Sequence, residues 1–219
     1  DIAVVNAGTN TIAVFLNRGD GRFSSERIYL TGVDSQPNTI AVGDMDNDKH
    51  ADLLVANIQN GSIVIWFGNG EGAFERSTTV ETNTFGQSYI IVRDFNEDSI
   101  LDIILASSWM SQISVLIGLG NGTFMITQQY YTGFGSSPYT LAAGDFNRDG
   151  REDLAVAKTG INSIGIFLGY DSGAIILHDG LDTGPSSSPK SLVLADFNED
   201  NITDIVVALV ALAHLRVGA

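Results

Sequence analysis

The chain contains no cysteine. A disulfide framework, a zinc–thiolate site and a thiol nucleophile are therefore excluded. Basic residues are scarce. Eleven Lys and Arg stand against 26 Asp and Glu, a formal net charge of −15 over 219 residues. That balance argues against nucleic acid and against anionic membrane surfaces as partners. Long apolar runs are also missing. The longest, residues 205–213, is too short to span a bilayer, and its place in the repeat described below predicts a buried strand. No segment carries a helical period over three turns. What remains is 44% apolar, enough for a real core and too much for a disordered chain.

One acidic signature occurs four times. It reads Asp44-Met45-Asp46-Asn47-Asp48…Asp52, then Asp94-Phe95-Asn96-Glu97-Asp98…Asp102. It returns as Asp145-Phe146-Asn147-Arg148-Asp149…Asp153 and Asp196-Phe197-Asn198-Glu199-Asp200…Asp204. Successive copies start 50, 51 and 51 residues apart, a period that marks propellers and solenoids. A second signature keeps step: Leu16-Asn17-Arg18-Gly19-Asp20-Gly21, Phe67-Gly68-Asn69-Gly70-Glu71-Gly72, Ile117-Gly118-Leu119-Gly120-Asn121-Gly122 and, worn, Leu168-Gly169-Tyr170. Glycine and asparagine so closely spaced supply the positive φ values of a hairpin turn. Pro37, Pro138 and Pro189 each stand seven residues before an acidic loop and open a strand.

Between these markers lie runs of about five to eight residues rich in Val, Ile, Leu and Ala, the length of strands. In the second repeat they are residues 39–43, 52–57, 63–67 and 74–80; in the third, 89–93, 103–107, 113–117 and 124–131. Ile113, Val115 and Ile117 alternate with Ser114 and Leu116, a period near two. The expected fold is all-β: a β-propeller of four-stranded antiparallel blades. It forms one domain over residues 1–219, with repeats at about 1–37, 38–87, 88–138, 139–188 and 189–219, the first and last incomplete. About four blades are present, as an open arc belonging to a larger propeller or as a small closed ring. In the ring, residues 190–195 would supply the inner strand of the first blade.

Oxygen side chains at positions 1, 3, 5 and 9 of a tight loop suit a hard cation such as Ca²⁺. The expected side-chain ligands are Asp44, Asp46, Asp48 and Asp52; Asp94, Asn96, Asp98 and Asp102; Asp145, Asn147, Asp149 and Asp153; Asp196, Asn198, Asp200 and Asp204. Position 7 would add a backbone carbonyl from His50, Ile100, Arg151 and Ile202, whose variety fits a main-chain ligand. An EF-hand is excluded because position 12 is Val55, Leu105, Val156 or Val207 rather than Glu. A single loop of this kind would read equally well as a solvated turn; four in register predict about four structural Ca²⁺ ions. Those ions would bring the net charge from −15 to about −7. Mg²⁺ fits less well, because its octahedral shell keeps more water. Position 6 favours glycine for the sharp turn. Gly150 supplies it, Asn201 tolerates it, and Lys49 and Ser99 do so less readily.

With Phe67-Gly68 and the four Asp-rich loops, the chain resembles FG-GAP and VCBS-type repeats of integrin-α-like β-propellers over its whole length. It departs from that pattern in having the position-6 glycine once in four loops and Ile175 in place of Phe. The resemblance implies a non-enzymatic, extracellular or cell-surface adhesion or recognition module that binds a protein or carbohydrate ligand. The alternative is an accessory propeller or carbohydrate-binding module of a secreted lyase or hydrolase; no catalytic cluster stands outside the four loops. His50, His178 and His214 follow no catalytic spacing, and Trp66 and Trp109 are expected to pack between blades.

Overall fold

A computed structural model describes residues 1–170 and 173–210. The expected third strand of the last repeat, residues 214–219, lies outside the described residues, as do residues 171–172 of the fourth glycine-rich turn.

The described chain is a run of antiparallel meanders. The first sheet holds β1 (Ile2–Asn6), β2 (Thr11–Phe15) and β3 (Arg27–Leu30). Three four-stranded sheets follow. The second is β4 (Pro37–Gly43), β5 (Asp52–Asn57), β6 (Ser62–Phe67) and β7 (Arg76–Glu81). The third is β8 (Gln87–Arg93), β9 (Asp102–Ser107), β10 (Gln112–Gly118) and β11 (Phe124–Tyr131). The fourth is β12 (Pro138–Gly144), β13 (Asp153–Lys158), β14 (Ser163–Gly169) and β15 (Ile175–Asp182), with one 3₁₀ turn at Thr159–Ile161. The fifth pairs β16 (Pro189–Ala195) with β17 (Asp204–Leu209). Pro37, Pro138 and Pro189 each begin an inner strand, where no ladder N–H is lost.

The inner strands β4, β8, β12 and β16 contact one another in chain order, and β1 contacts β4. The sheets therefore stand as neighbouring blades of a propeller. The arc is open: β16 pairs with β17 and not with β1. The small closed ring is thus corrected, because the first sheet begins at its second strand and borrows no inner strand from residues 190–195.

The second strand of each internal blade, β5, β9 and β13, is buried at every residue. Alternation along it sorts side chains between two cores instead of between core and water. Leu53 and Val55 pack toward the first sheet, while Leu54 and Ala56 pack toward the third. Ile103 and Leu105 pack back toward the second sheet, while Ile104 and Ala106 pack toward the fourth. Leu154 and Val156, then Ala155 and Ala157, repeat the division one blade on. A strand covered on both faces reads as a continuous apolar run. Trp66 meets the expectation of packing between blades, its ring centroid 5.2 Å from that of Tyr29 across the first interface. Trp109 does not; it is 58% exposed on a turn.

Candidate metal centres

The four acidic loops join the first strand of a blade to its second. They share one hydrogen-bond pattern. At position 1, one carboxylate oxygen accepts the N–H of position 5: Asp48 to Asp44 at 3.1 Å, Asp98 to Asp94 at 3.1 Å, Asp149 to Asp145 at 3.2 Å and Asp200 to Asp196 at 3.1 Å. The other oxygen accepts the N–H of position 6, donated by Lys49, Ser99, Gly150 and Asn201 at 2.7–2.9 Å. At position 5, the aspartates accept the N–H of His50, Ile100, Arg151 and Ile202 at 2.8–2.9 Å. At Asp149 the amide of Arg151 is the main influence, and it holds the carboxyl below the usual range.

Each loop reaches this shape by turning two residues into the left-handed region. Position 6 does so at Lys49 (φ 71°), Ser99 (φ 67°), Gly150 (φ 87°) and Asn201 (φ 62°). Position 4 does so as well, at Asn47, Glu97, Arg148 and Glu199 (φ 60–63°). Asn47 is a residue type that tolerates it; nothing in the side chains of Glu97, Arg148 and Glu199 announces it.

Position 9 plays another part. Asp52, Asp102 and Asp153 are fully buried. One oxygen of each accepts the N–H of position 2, from Met45 at 2.7 Å, Phe95 at 2.9 Å and Phe146 at 2.8 Å. The other accepts the N–H of Gly68, Gly118 and Gly169 at 2.8–2.9 Å. Asp204 repeats the first bond, with Phe197 at 3.0 Å. The position-9 carboxylate thus latches the loop to the end of the third strand. Burial raises the pKa of Asp52 and Asp102, against the lowering effect of these same amides. The glycines beside the latch are not there for a positive φ. A Cβ on Gly68, Gly118 or Gly169 would overlap the carbonyl oxygen of Ala51, Leu101 or Glu152. Positive φ belongs instead to Gly19, Gly21, Gly70, Gly72, Gly120 and Gly122 inside the hairpins.

In the first loop Asp44, Asp46 and Asp48 each offer a carboxylate oxygen, and these oxygens lie within 4.8 Å of one another. Oδ1 of Asp46 is buried with no hydrogen-bond partner, while the other oxygen pairs with Arg76, whose guanidinium lies 3.7 Å from the Phe67 ring centroid. An orphaned buried oxygen beside two further carboxylates fits a divalent cation. Asp52 stands outside this group. In the other loops Asn replaces the position-3 Asp, and its amide nitrogen donates to the position-5 carboxylate: Asn96 to Asp98 at 2.9 Å, Asn147 to Asp149 at 3.0 Å and Asn198 to Asp200 at 3.1 Å. A cation there requires the amide to turn its oxygen inward.

The loops also touch the next blade. Met45, Phe95 and Phe146 at position 2 insert into the following inter-blade core. The hairpin of the third blade closes on the loop of the second, Gly122 donating to the carbonyl of Met45 at 3.0 Å. Sequence reasoning missed this coupling, although apolar residues at position 2 of otherwise polar loops were its signal.

Comparisons with known proteins agree with this architecture. No curated protein matches the chain significantly. Among solved structures, a Lactobacillus plantarum protein aligns at 18% identity and TM-score 0.65 over 95% of this chain and 66% of its own. An Agrocybe aegerita lectin, described as recognising non-reducing terminal N-acetylglucosamine, aligns at 18% and 0.59 over 90% and 54%. Staphylococcus aureus virginiamycin B lyase aligns at 18% and 0.61 over 94% and 59%. At these identities the likeness shows the fold, and the chain spans just over half to about two-thirds of those structures. The FG-GAP-like repeat matches residues 1–55, 46–105 and 94–156, and the FG-GAP repeat matches residues 137–177. With most of its length so matched and its sheets arranged as blades, the chain belongs to the FG-GAP repeat family.

Proposed function

We propose that this chain is a calcium-stabilised recognition module of an extracellular or cell-surface protein, one that binds a protein or carbohydrate ligand without turnover. The observation that carries the metal reading is the orphaned Oδ1 of Asp46, on a carboxylate that clusters with those of Asp44 and Asp48 in a loop shape that recurs three more times. A bound Ca²⁺ would neutralise the clustered carboxylates and fix a loop whose position-2 side chain plugs the next interface. Its role is thus structural, and the whole arc gains stability from it. In support of binding without turnover, the cavity of about 410 Å³ between the inner strands is lined mostly by aliphatic residues such as Val42, Ile91, Leu141 and Leu194, with Tyr89 and Arg93.

Calorimetric titration of the chelator-treated chain with CaCl₂, alongside thermal melts, tests the metal reading. Calcium uptake with a higher melting temperature is expected, and Asp46→Asn weakens the first site while the others persist. A ligand at ~100 times its Kd adds about 2.7 kcal/mol of stability, so the shift is measurable. Absence of uptake, or uptake with no change in melting, overturns it.

A further inference from the structure

Acidic loops and glycine hairpins occupy one face of the arc. The opposite face carries the turns between second and third strands and the connections between blades. In the third blade that face differs from its neighbours. Trp109 on the β9–β10 turn occupies the place of Gln59 in the second blade, and Phe134 on the connection to β12 occupies the place of Val33.

The indole of Trp109 is seated, not loose. It lies against Gly86, a buried residue at φ 69°, so closely that any Cβ at residue 86 would overlap the ring. Ser108 fastens the turn to the same residue, its N–H and hydroxyl reaching the carbonyl of Gly86 at 2.9 and 3.1 Å. One indole surface is thereby backed by main chain, and Trp109 remains 58% exposed. Phe134, 94% exposed, and Tyr131 line the same open cavity of about 590 Å³, together with Ser111 and Ser137. Among the described residues no charged side chain lines it, although the chain carries −15 overall. Among the described residues, the hydroxyls of Ser111, Ser137 and Tyr131 and the indole N–H make no hydrogen bond.

We propose that this cavity is a binding site for an uncharged saccharide, with Trp109 as its stacking platform. The C–H face of a pyranose carries slight positive charge and meets the negative face of an aromatic ring. The sugar's hydroxyls then need donors and acceptors at the rim, which the serines, the tyrosine and the indole N–H supply. A rigid aromatic with few polar partners placed around it is the usual composition of a small-molecule site, and the neutral lining suits a neutral ligand. The site deepens the recognition reading above and rests on it, but it does not depend on the metal.

The test is titration of the calcium-loaded chain with chitotriose, cellotriose and maltotriose, followed by calorimetry and tryptophan emission. Trp66→Phe leaves Trp109 as the reporter. At least one trisaccharide is expected to bind saturably and shift the Trp109 emission to the blue. Trp109→Ala weakens that binding by ~10-fold or more, as loss of a buried aromatic anchor does; Phe134→Ser, at a side chain almost free of contacts, weakens it to a lesser degree. Calcium uptake is unchanged in both variants, so failure of the metal reading is seen separately. A trisaccharide bound equally well by Trp109→Ala overturns this site but leaves the recognition reading standing. No response to any of the three at ~10 mM, a concentration that detects even millimolar affinity, overturns the proposal, and so does capture at Trp109 of an apolar leucine-rich peptide in their place.

Discussion

At the scale of single residues, the acidic loops divide labour among aspartates that look alike in sequence. Positions 1 and 5 organise the loop, position 3 offers an orphan oxygen in the first loop, and position 9 latches the loop to the third strand at Asp52, Asp102 and Asp153. The repeat made the loops legible, but not this division, because burial of position 9 depends on Gly68, Gly118 and Gly169 arriving from another strand. If Asp102 served only a metal, its replacement would be silent without one. The latch predicts otherwise. Asp102→Ala, melted in chelator, leaves the buried amides of Phe95 and Gly118 without their acceptor and costs about 1–3 kcal/mol for each unsatisfied group. An unchanged melting temperature in chelator would dismiss the latch. Position 6 offers the converse test. Ser99 sits at φ 67°, where a residue with a Cβ is strained by roughly 1–2 kcal/mol. Ser99→Gly relieves that strain and is expected to raise stability by up to ~1 kcal/mol after the glycine's added unfolded-state entropy, read as a higher urea midpoint at unchanged m-value.

At the scale of elements, strand positions were readable nearly to the residue. The fourth strand of the second blade is shifted, running Arg76–Glu81 where residues 74–80 were expected, because Phe74 turns into the core beneath Tyr29. The inter-blade connections were less legible. The serines there are buried partners: Thr31 with Ser35, Thr132 with Ser136 and Thr183 with Ser187 join hydroxyls at 2.6–2.8 Å. A hydroxyl pair bridging four residues leaves no composition signal. The end of the second strand shows the same context dependence. Asn57 and Ser107 are buried there in two blades, and Lys158, 7% exposed, takes that place in the fourth. Burial lowers its pKa from the ordinary 10.5, so the folded chain releases this proton at a lower pH than the unfolded chain does. Below the lowered pKa the ammonium bears its full desolvation cost. Between that value and 10.5 the unfolded state holds more protons, and stability rises with pH. Lys158→Met removes the cost. The variant is expected to melt above the parent at neutral pH, with a margin that narrows as pH climbs toward 10.5. A margin that stays constant over that range would refute the burial cost as its origin.

At the scale of the whole molecule, every interface is built from the same two half-faces. Along the second strand, residues at loop positions 10 and 12 face the preceding blade, and those at 11 and 13 face the following one. The first sheet shows the preceding half-face to solvent through Ile2 and Val4, which are 45% and 40% exposed. Its other half-face, Ala3 and Val5, is packed on the second sheet. The fifth sheet is the mirror case. Ile205 and Val207 pack back on the fourth, while Val206 is 49% and Phe197 56% exposed. Phe197 occupies position 2, where Met45 and Phe95 are buried in the next interface. Among the described residues these two half-faces are uncovered; they are complementary in kind, and each is apolar enough to drive contact. Such a contact is heterologous, head to tail. The chain is expected to associate with rising concentration in sedimentation velocity. Ile2→Asp blocks one half-face and Val206→Asp the other, so each variant alone sediments as a monomer. Mixed in equal amounts they form a defined dimer, because the Ile2→Asp chain keeps its following face and the Val206→Asp chain keeps its preceding one. Unspecific stickiness predicts a partial loss of association in both variants and no recovery on mixing, and that result would sever the link between the free faces and the blade interface.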